Sequence, residues 1–264
     1  GWSLKDIINS EDPEIIKKTN IAQPYIFSVS YCYGIEAINN LGNPAALIGH
    51  SLGEYTALCL SGYLDYKDAL KVIAVRGEEM HKAVENSNTT MAAVLTGDLE
   101  ATIEEIEKLN NQGIQIWISN FNDPSQIVIS SYIDDMNYLK SNPKALGAKR
   151  VIPLEVAGAF HTEIVSSAKK PLEDTLNSID ISEGKIPVYM NVDAKKVEVS
   201  TLKESLVNQI DNSVLFNQQI EFVNNDIDPD LWCHIGPGNV TAGMVRKSIS
   251  YKDLKVINSL ESSK

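Results

Sequence analysis

The sequence predicts an α/β protein in which a large subdomain with a parallel sheet carries a small inserted subdomain. Within residues 43–64, a short apolar strand passes through a glycine turn into a helix-like pattern, which is the βα unit of a parallel sheet. Residues 88–155 alternate as strand, helix, strand, strand, helix, strand, the order of a ferredoxin-like unit. We therefore assign residues 1–87 and 156–264 to the large subdomain and residues 88–155 to a ferredoxin-like small subdomain.

Composition allows a sizeable core and argues against two kinds of partner. With 264 residues, 43% of them hydrophobic, the chain can form one large domain or a domain with a subdomain. Its net charge of -12 argues against nucleic acid, which needs a basic face. No segment reaches the roughly 18 consecutive apolar residues of a membrane span, and the N-terminus lacks a signal-peptide pattern. We expect neither nucleic acid nor a membrane as partner.

The cysteines indicate the compartment. Cys32, Cys59 and Cys233 lie far apart and form no CxxC pair, so the spacing indicates neither a disulfide framework nor a zinc site. We expect a cytoplasmic protein that binds no metal.

The first elements belong to the large subdomain. Residues 19–42 predict a helix that is entered after Pro24 and ends near Gly42. Its expected buried face consists of Ile26, Val29, Tyr33 and Ile35. A strand at residues 43–50 and helices at residues 51–64 and 66–87 follow.

The remaining elements divide between the two subdomains. In the small one we expect a strand at 89–97, a helix at 98–113, strands at 114–120 and 125–131, a helix at 132–148 and a strand at 149–156. In the large one we expect a helix at 162–179, a strand at 186–192, helices at 202–210 and 217–225, a strand at 230–238 and a closing helix at 240–249.

A candidate nucleophile lies at the turn between the first strand and its helix. Gly49-His50-Ser51-Leu52-Gly53 matches G-x-S-x-G, the nucleophile elbow that is typical of an α/β-hydrolase-like fold. We expect a glycine on each side of the serine because a Cβ there would strike the neighbouring backbone. The helix N-terminus would offer amide groups to an oxyanion. The alternative is that Ser51 is only a turn residue.

A serine hydroxyl needs a base, and the chain has four histidines. His50 adjoins Ser51 and is expected to form a wall of the site, because neighbours on a tight turn point in different directions. His81 lies on a charged helix face and is expected to be solvated. His161 follows a strand through a loop of small residues, and His234 ends another strand, so these residues leave both open as the base.

Arg76 lies in a largely apolar helical stretch. One interpretation is a surface arginine in a salt bridge. The other is a clamp for a substrate carboxylate, which guanidinium geometry suits better than an ammonium group.

Several motifs together resemble a known family. In order along the chain they are AQP at residues 22–24, GHSLGEYTAL, RG at residues 76–77, ISNFNDPSQIVIS, AGAFH, PVYMNVDA and HIGPGNVTAG. The chain resembles the malonyl-CoA:acyl carrier protein transacylases and the related acyltransferase domains of polyketide synthases. This resemblance covers nearly the whole chain and favours His161 as the base.

The resemblance implies a ping-pong acyl transfer through a malonyl-serine ester, without a cofactor. Ser51 would attack malonyl-CoA, His161 would be its base, and the amide of Leu52 would bind the oxyanion. A backbone carbonyl near Asn239 would orient the histidine. A malonyl group would then pass to the phosphopantetheine thiol of an acyl carrier protein, in fatty-acid or polyketide synthesis.

The resemblance also implies which residues bind the substrate. Arg76 would pair with the malonyl carboxylate, and Phe160 would crowd the α-carbon. Gln23, His50 and Asn120 occupy motif positions at the substrate. We expect the protein to act as a monomer.

One departure from the family leaves alternatives open. The "GQGSQ"-like loop that supplies a second oxyanion amide is absent, so we expect either that a native segment precedes Gly1 or that catalysis is impaired. The alternatives to a transferase are an acyl hydrolase that clears carrier-bound chains, which Arg76 disfavours, and a docking module without catalysis. Basic clusters at residues 144–150 and 246–252 could receive an acidic carrier protein.

Overall fold

The computed structural model describes residues 3–8, 18–249 and 253–262. The helices are α1 (Leu4–Ile8), α2 (Thr19–Leu41), α3 (Gly53–Ser61), α4 (Tyr66–Val84), α5 (Leu99–Asn111), α6 (Ile133–Ser141), α7 (Lys169–Asn177), α8 (Leu202–Asn208), α9 (Phe216–Ile227) and α10 (Val240–Ser248). The strands are β1 (Leu47–Ile48), β2 (Thr89–Leu95), β3 (Ile116–Asp123), β4 (Gln126–Tyr132), β5 (Arg150–Pro153), β6 (Val188–Tyr189), β7 (Leu231–Ile235) and β8 (Asp253–Ile257). Short 3₁₀ turns occur at Pro143–Leu146 and Glu163–Ala168.

The large part of the molecule contains parallel strand pairs, as the βα unit predicts. β1 pairs with β6, and β7 pairs with β8. The expected strand at residues 43–50 shortens to Leu47–Ile48, because these are the residues that pair with Val188 and Tyr189. The apolar faces of α3, α4, α7 and α8 meet in one core that includes Tyr55, Leu58, Ile73 and Leu172. This core supports β1 and the turn that follows it.

The small part forms a four-stranded antiparallel sheet with the strand order β3-β4-β2-β5. That order is the one a split βαβ arrangement produces, so the predicted ferredoxin-like topology is confirmed. Side chains of α5 and α6 pack with the sheet around Ile127, Ile129 and Leu139. The boundaries at residues 88 and 155 stay a prediction.

Two expectations about α2 are wrong. The helix begins at Thr19 and contains Pro24. Its predicted buried face is exposed at Ile26 and Ile35, each at 39%. Phe27 and Gly34 are buried instead, and a Cβ on Gly34 would lie 2.4 Å from Leu60 Cδ1. Small residues thus let α2 approach α3 closely, so the pattern of large apolar residues was misleading.

No helix in the described part of the chain is both long enough and apolar enough to cross a membrane.

Candidate active site

The serine turn adopts the strained geometry of an elbow. Ser51 follows β1 at φ 51°, a left-handed conformation that is uncommon for a residue with a side chain. A Cβ on Gly49 would lie 2.0 Å from the carbonyl carbon of Gly53, so the glycine requirement is confirmed there. At Gly53 it is wrong, because an added Cβ would meet nothing within 4 Å. The requirement for glycine is therefore one-sided.

Ser51 and His161 form a hydrogen-bonded pair. Ser51 Oγ lies 2.8 Å from His161 Nε2, and His161 Nδ1 lies 2.8 Å from the main-chain oxygen of Gln209. A carbonyl oxygen only accepts, so Nδ1 carries the proton and Nε2 offers its lone pair to the serine. His234 instead contacts Thr241 Oγ1 through its Nδ1. The structure therefore brings His161, and not His234, to the nucleophile.

The carbonyl that holds His161 is not the predicted one. It belongs to Gln209, whereas Asn239 is the residue before α10. Gln209 directly follows α8, and carbonyl groups at a helix C-terminus lack partners within the helix. The assignment to Asn239 is therefore wrong, because a motif position was used where a free helix-end carbonyl was needed.

Arg76 is a buried cation beside the nucleophile. Only 1% of it is exposed, which excludes the surface interpretation. Its Nη1 donates to Gln23 Oε1 at 2.6 Å, and its Nη2 donates to Gln209 Oε1 at 2.8 Å and to Ser51 Oγ at 3.1 Å. Within residues 18–249 and the other described segments, no carboxylate lies within ion-pair distance of it.

Burial and this cation determine the electrostatics of the pair. Burial, together with the charge of Arg76, lowers the pKa of His161 to about 3. His161 is therefore neutral at physiological pH, the form that can accept a proton. Burial also lowers the pKa of His50, whose Nε2 lies 2.9 Å from Asn122 Oδ1 and whose ring contacts Phe216 edge-on.

The remaining predicted site residues are placed as follows. The Ser51 N–H donates to Asn191 Oδ1 at 2.8 Å, whereas the Leu52 N–H donates to no acceptor among the hydrogen bonds of the described residues. Phe160 is half-buried beside His161 and packs against the large core. Asn120 is buried and its backbone bridges to Val214. The contact with His50 comes from Asn122, two residues later, and not from Asn120.

Three residues that the sequence prediction missed form a buried network behind the serine. Glu54, Asn191 and Gln209 are each 0% exposed. Asn191 Nδ2 donates to the Gly49 carbonyl oxygen at 2.6 Å, so Asn191 holds both sides of the elbow. Burial raises the pKa of Glu54 to about 8, and N–H donors from Asn191 and Gln209 oppose that rise. Glu54 and Asn191 lie in quoted motifs, but no local pattern marked Gln209.

A cleft leads to His161 between the two parts of the molecule. Its volume is about 340 Å³. The lining residues are Trp117 and Ile118 of β3, His161, Thr162 and Glu163, and Asp211, Asn212 and Ser213. In the described part of the chain, no group of His, Cys, Asp and Glu side chains could hold a metal ion.

Comparison with known proteins places the chain in one family. The profile of the acyl transferase domain matches residues 1–261. The malonyl CoA-acyl carrier protein transacylase of Bacillus subtilis (strain 168) is 36% identical over 246 residues, which cover 92% of this chain and 77% of that protein. The protein of the same name from Staphylococcus aureus (strain MRSA252) is 33% identical over 264 residues, covering 100% of this chain and 85% of that protein.

Solved structures agree with this. A malonyl-transacylase in complex with its type II PKS acyl-carrier protein matches with a TM-score of 0.91 at 28% identity, covering 100% of this chain and 85% of that one. MCAT from Streptococcus pneumoniae matches with a TM-score of 0.90 at 30% identity, covering 99% of this chain and 85% of that one. The chain belongs to the acyl transferase domain family and, within it, to the malonyl CoA-acyl carrier protein transacylases.

Proposed function

We propose that the protein transfers a malonyl group from malonyl-CoA to the phosphopantetheine thiol of an acyl carrier protein, through a malonyl ester of Ser51. The observation that carries this proposal is the buried guanidinium of Arg76, 3.1 Å from Ser51 Oγ and without a carboxylate partner in the described residues. A buried cation is costly unless an anion compensates it. A malonyl group attached to Ser51 would bring a free carboxylate to this position.

The first half-reaction acylates the serine. His161 Nε2 takes the Ser51 proton while Oγ attacks the thioester carbonyl carbon, and the Leu52 N–H stabilises the oxyanion. Collapse of the tetrahedral intermediate breaks the carbon–sulfur bond, and the imidazolium of His161 protonates the departing CoA thiolate. The Gln209 carbonyl, which accepts from Nδ1 throughout, keeps the ring oriented.

The second half-reaction reverses these roles. The carrier thiol gives its proton to His161 and its sulfur attacks the malonyl ester, after which His161 returns the proton to Ser51 Oγ. All proton transfers use this one histidine, so no cofactor is needed. The 340 Å³ cleft beside His161 suits the pantetheine arm of either thiol substrate.

A hydrolase and a docking module without catalysis are less well supported. A hydrolase of simple acyl chains has no use for a buried cation at the acyl group, and Arg76 favours the malonyl transferase instead. The hydrogen bond of 2.8 Å between Ser51 and His161 argues against a loss of catalysis.

The protein's expected cytoplasmic location is supported by three free cysteines.

The central experiment is intact-protein mass spectrometry after brief exposure to malonyl-CoA. We expect a malonyl adduct on the wild type and none on Ser51→Ala. Arg76→Ala should keep Ser51 but shift labelling from malonyl-CoA toward acetyl-CoA, by about 100-fold in relative rate. A wild type without an adduct would contradict the transferase, and release of free malonate without a carrier would favour the hydrolase.

The carrier protein would dock on a basic edge formed by Lys149, Arg150, Arg246 and Lys247. Leu95 of β2 pairs with Arg150 of β5 on one side and with the start of β4 on the other. Two strand spacings, about 10 Å, therefore separate Arg150 from the start of β4. β3 and β4 form a hairpin. On its β3 side, Lys247 Nζ lies 3.2 Å from Asp123 Oδ2. We therefore expect the two basic clusters to lie near the turn between β3 and β4, where Asn122, the contact of His50, is the penultimate residue of β3. Residues 250–252 of the second cluster lie outside the described residues.

The docking step can be measured alone by mixing a preformed malonyl-enzyme with holo carrier protein and following transfer of the malonyl group to the carrier thiol. Arg150→Glu with Arg246→Glu should raise the KM for the carrier about tenfold at low salt. The matched control is Lys67→Glu with Lys71→Glu, which reverses two exposed charges on α4. Equal effects of the two pairs would show that only net charge matters and would remove the basic edge as the docking site.

A further inference from the structure

Glu54 is a buried acid without a part in the proton transfers described above. It lies in the first turn of α3 and is 0% exposed. Its Oε1 accepts from the backbone N–H of Asn191 at 2.5 Å, and its Oε2 accepts from Gln209 Nε2 at 2.5 Å. Both oxygens therefore accept N–H groups, which is the pattern of an ionised carboxylate. The Gln209 amide nitrogen therefore faces Glu54, and it also lies 3.3 Å from Asn191 Oδ1, so Glu54 is one of several acceptors that set the orientation of this amide.

The orientation of the Gln209 amide decides what faces Arg76. The Nε2 group points at Glu54 and also donates to the Ser51 carbonyl oxygen at 2.9 Å. The amide oxygen is therefore left to accept from Arg76 Nη2 at 2.8 Å. In the opposite orientation an N–H donor would face the guanidinium, which has donors alone.

This arrangement holds Arg76 without neutralising it. Its two Nη atoms bind the uncharged oxygens of Gln23 and Gln209. The carboxyl group of Glu54, which is ionised above its pKa of about 8, is set back by one side chain. A carboxylate in direct contact would compete with a substrate carboxylate for the same guanidinium. A neutral acceptor keeps the cation in place and leaves its charge available beside Ser51.

We propose that Glu54 is a positioning residue for substrate selection: it orients the Gln209 amide so that Arg76 is held by a neutral oxygen and stays free to bind an acyl carboxylate. The proposal rests on the proposed function, because it assumes that Arg76 receives the malonyl carboxylate. It assigns the main-chain carbonyl of Gln209 to His161 and the side chain of the same residue to Arg76. Gln209 thereby contacts both the base, His161, and the guanidinium of Arg76, which would bind the acyl carboxylate.

A carboxyl-amide swap tests the proposal. The double variant Glu54→Gln/Gln209→Glu keeps the atom count and net charge but places the carboxylate directly against Arg76. Gln at position 54 can accept from Asn191 N–H and donate to the new carboxylate, whereas the Ser51 carbonyl oxygen loses the donor that Gln209 supplies. The comparison with a second reagent for Ser51 separates this loss from an effect on Arg76. The single variant Glu54→Gln breaks the chain of hydrogen bonds through residue 54, and Glu107→Gln, an exposed change on α5, is the matched control.

The measurements are made at about pH 9, which is above the Glu54 pKa of about 8. They are KM and kcat for malonyl-CoA labelling of Ser51, and the rate of Ser51 modification by a neutral sulfonyl fluoride. In the swap variant, we expect malonyl labelling to fall at least about tenfold more than sulfonyl fluoride modification, chiefly through KM. Glu54→Gln should shift the same ratio in the same direction, and Glu107→Gln should match the wild type.

Two results would overturn the positioning role. One is a swap variant with the wild-type ratio of malonyl to sulfonyl fluoride reactivity. The other is a loss of both reactivities in equal proportion, with thermal unfolding unchanged, which would assign Glu54 to the elbow as a whole. A wild type that reacts with the sulfonyl fluoride but not with malonyl-CoA would contradict the proposed function itself, so the two failures are distinguishable.

Discussion

The elbow, residues 49–53, and the supports behind it, Asn191 and Gln209, contact the same serine on very different sequence scales. The elbow is closed by local bonds, such as Gly53 N–H to the His50 carbonyl oxygen at 2.9 Å. The supports reach Ser51 across 140 and 158 residues. Local geometry orients the Ser51 hydroxyl. Distant groups decide which nitrogen of His161 carries the proton and leave the charge of Arg76 without a carboxylate partner among the described residues. Exposure of a nucleophile and its activation are thus separate problems with separate solutions.

The largest effect should come from removing the distant base while leaving the elbow intact. His161→Ala should slow Ser51 malonylation by roughly 100- to 10,000-fold, because general-base assistance is lost. Quenched-flow mass spectrometry measures the rate. His234→Ala is the control, since its Nδ1 contacts Thr241 and not the serine. If His234→Ala were the slower variant, the assignment of the base would be reversed.

Within the elbow, the two glycines should respond differently. Gly49→Ala should lower the free energy of unfolding by about 3 kcal/mol, because its Cβ would collide with the backbone of Gly53. Gly53→Ala should change it by less than about 1 kcal/mol, because the added methyl meets nothing within 4 Å. Urea unfolding of both variants gives the comparison. Equal losses would show that the elbow needs glycine on both sides.

The smallest effect should be the response of acylation to mild acid. With its pKa lowered to about 3, His161 stays neutral at pH 5, so the malonylation rate should change by less than about twofold between pH 8 and pH 5. An ordinary histidine would be only about 3% neutral at pH 5. A malonylation rate that falls to half near pH 6.5 would show that the distant supports do not control the protonation of His161.

The lowered pKa of His161 also makes the free energy of unfolding depend on pH. Below pH 6.5 the unfolded chain protonates this histidine, whereas the folded chain takes up the proton only near pH 3. The contribution of His161 to the free energy of unfolding is therefore fully present above pH 6.5 and is lost as the pH falls toward 3. His161→Gln should flatten this part of the pH profile.

Residues with local signals were predicted well. Ser51 has the G-x-S-x-G spacing, and the strand order of the small sheet follows from a regular alternation of elements. Gln209 had no such signal, because its side chain and carbonyl matter only where they meet Arg76 and His161. The α2 face was mispredicted for a related reason: Gly34 is buried by a close approach to Leu60, and a glycine contributes nothing to a hydrophobic pattern.

By itself, the sequence determined the elbow, the order of the strands and helices from α2 to α10, and a short set of candidate polar residues, but it did not indicate α1 or strand β8. It left His161 and His234 open until motifs were compared, and it misplaced the orienting carbonyl at Asn239. Only the tertiary structure decided that Arg76 is buried without a carboxylate among the described residues, and that the Gln209 amide separates it from Glu54. The physical reason is that pattern and backbone geometry are local properties, whereas desolvation and charge pairing depend on groups that folding brings together.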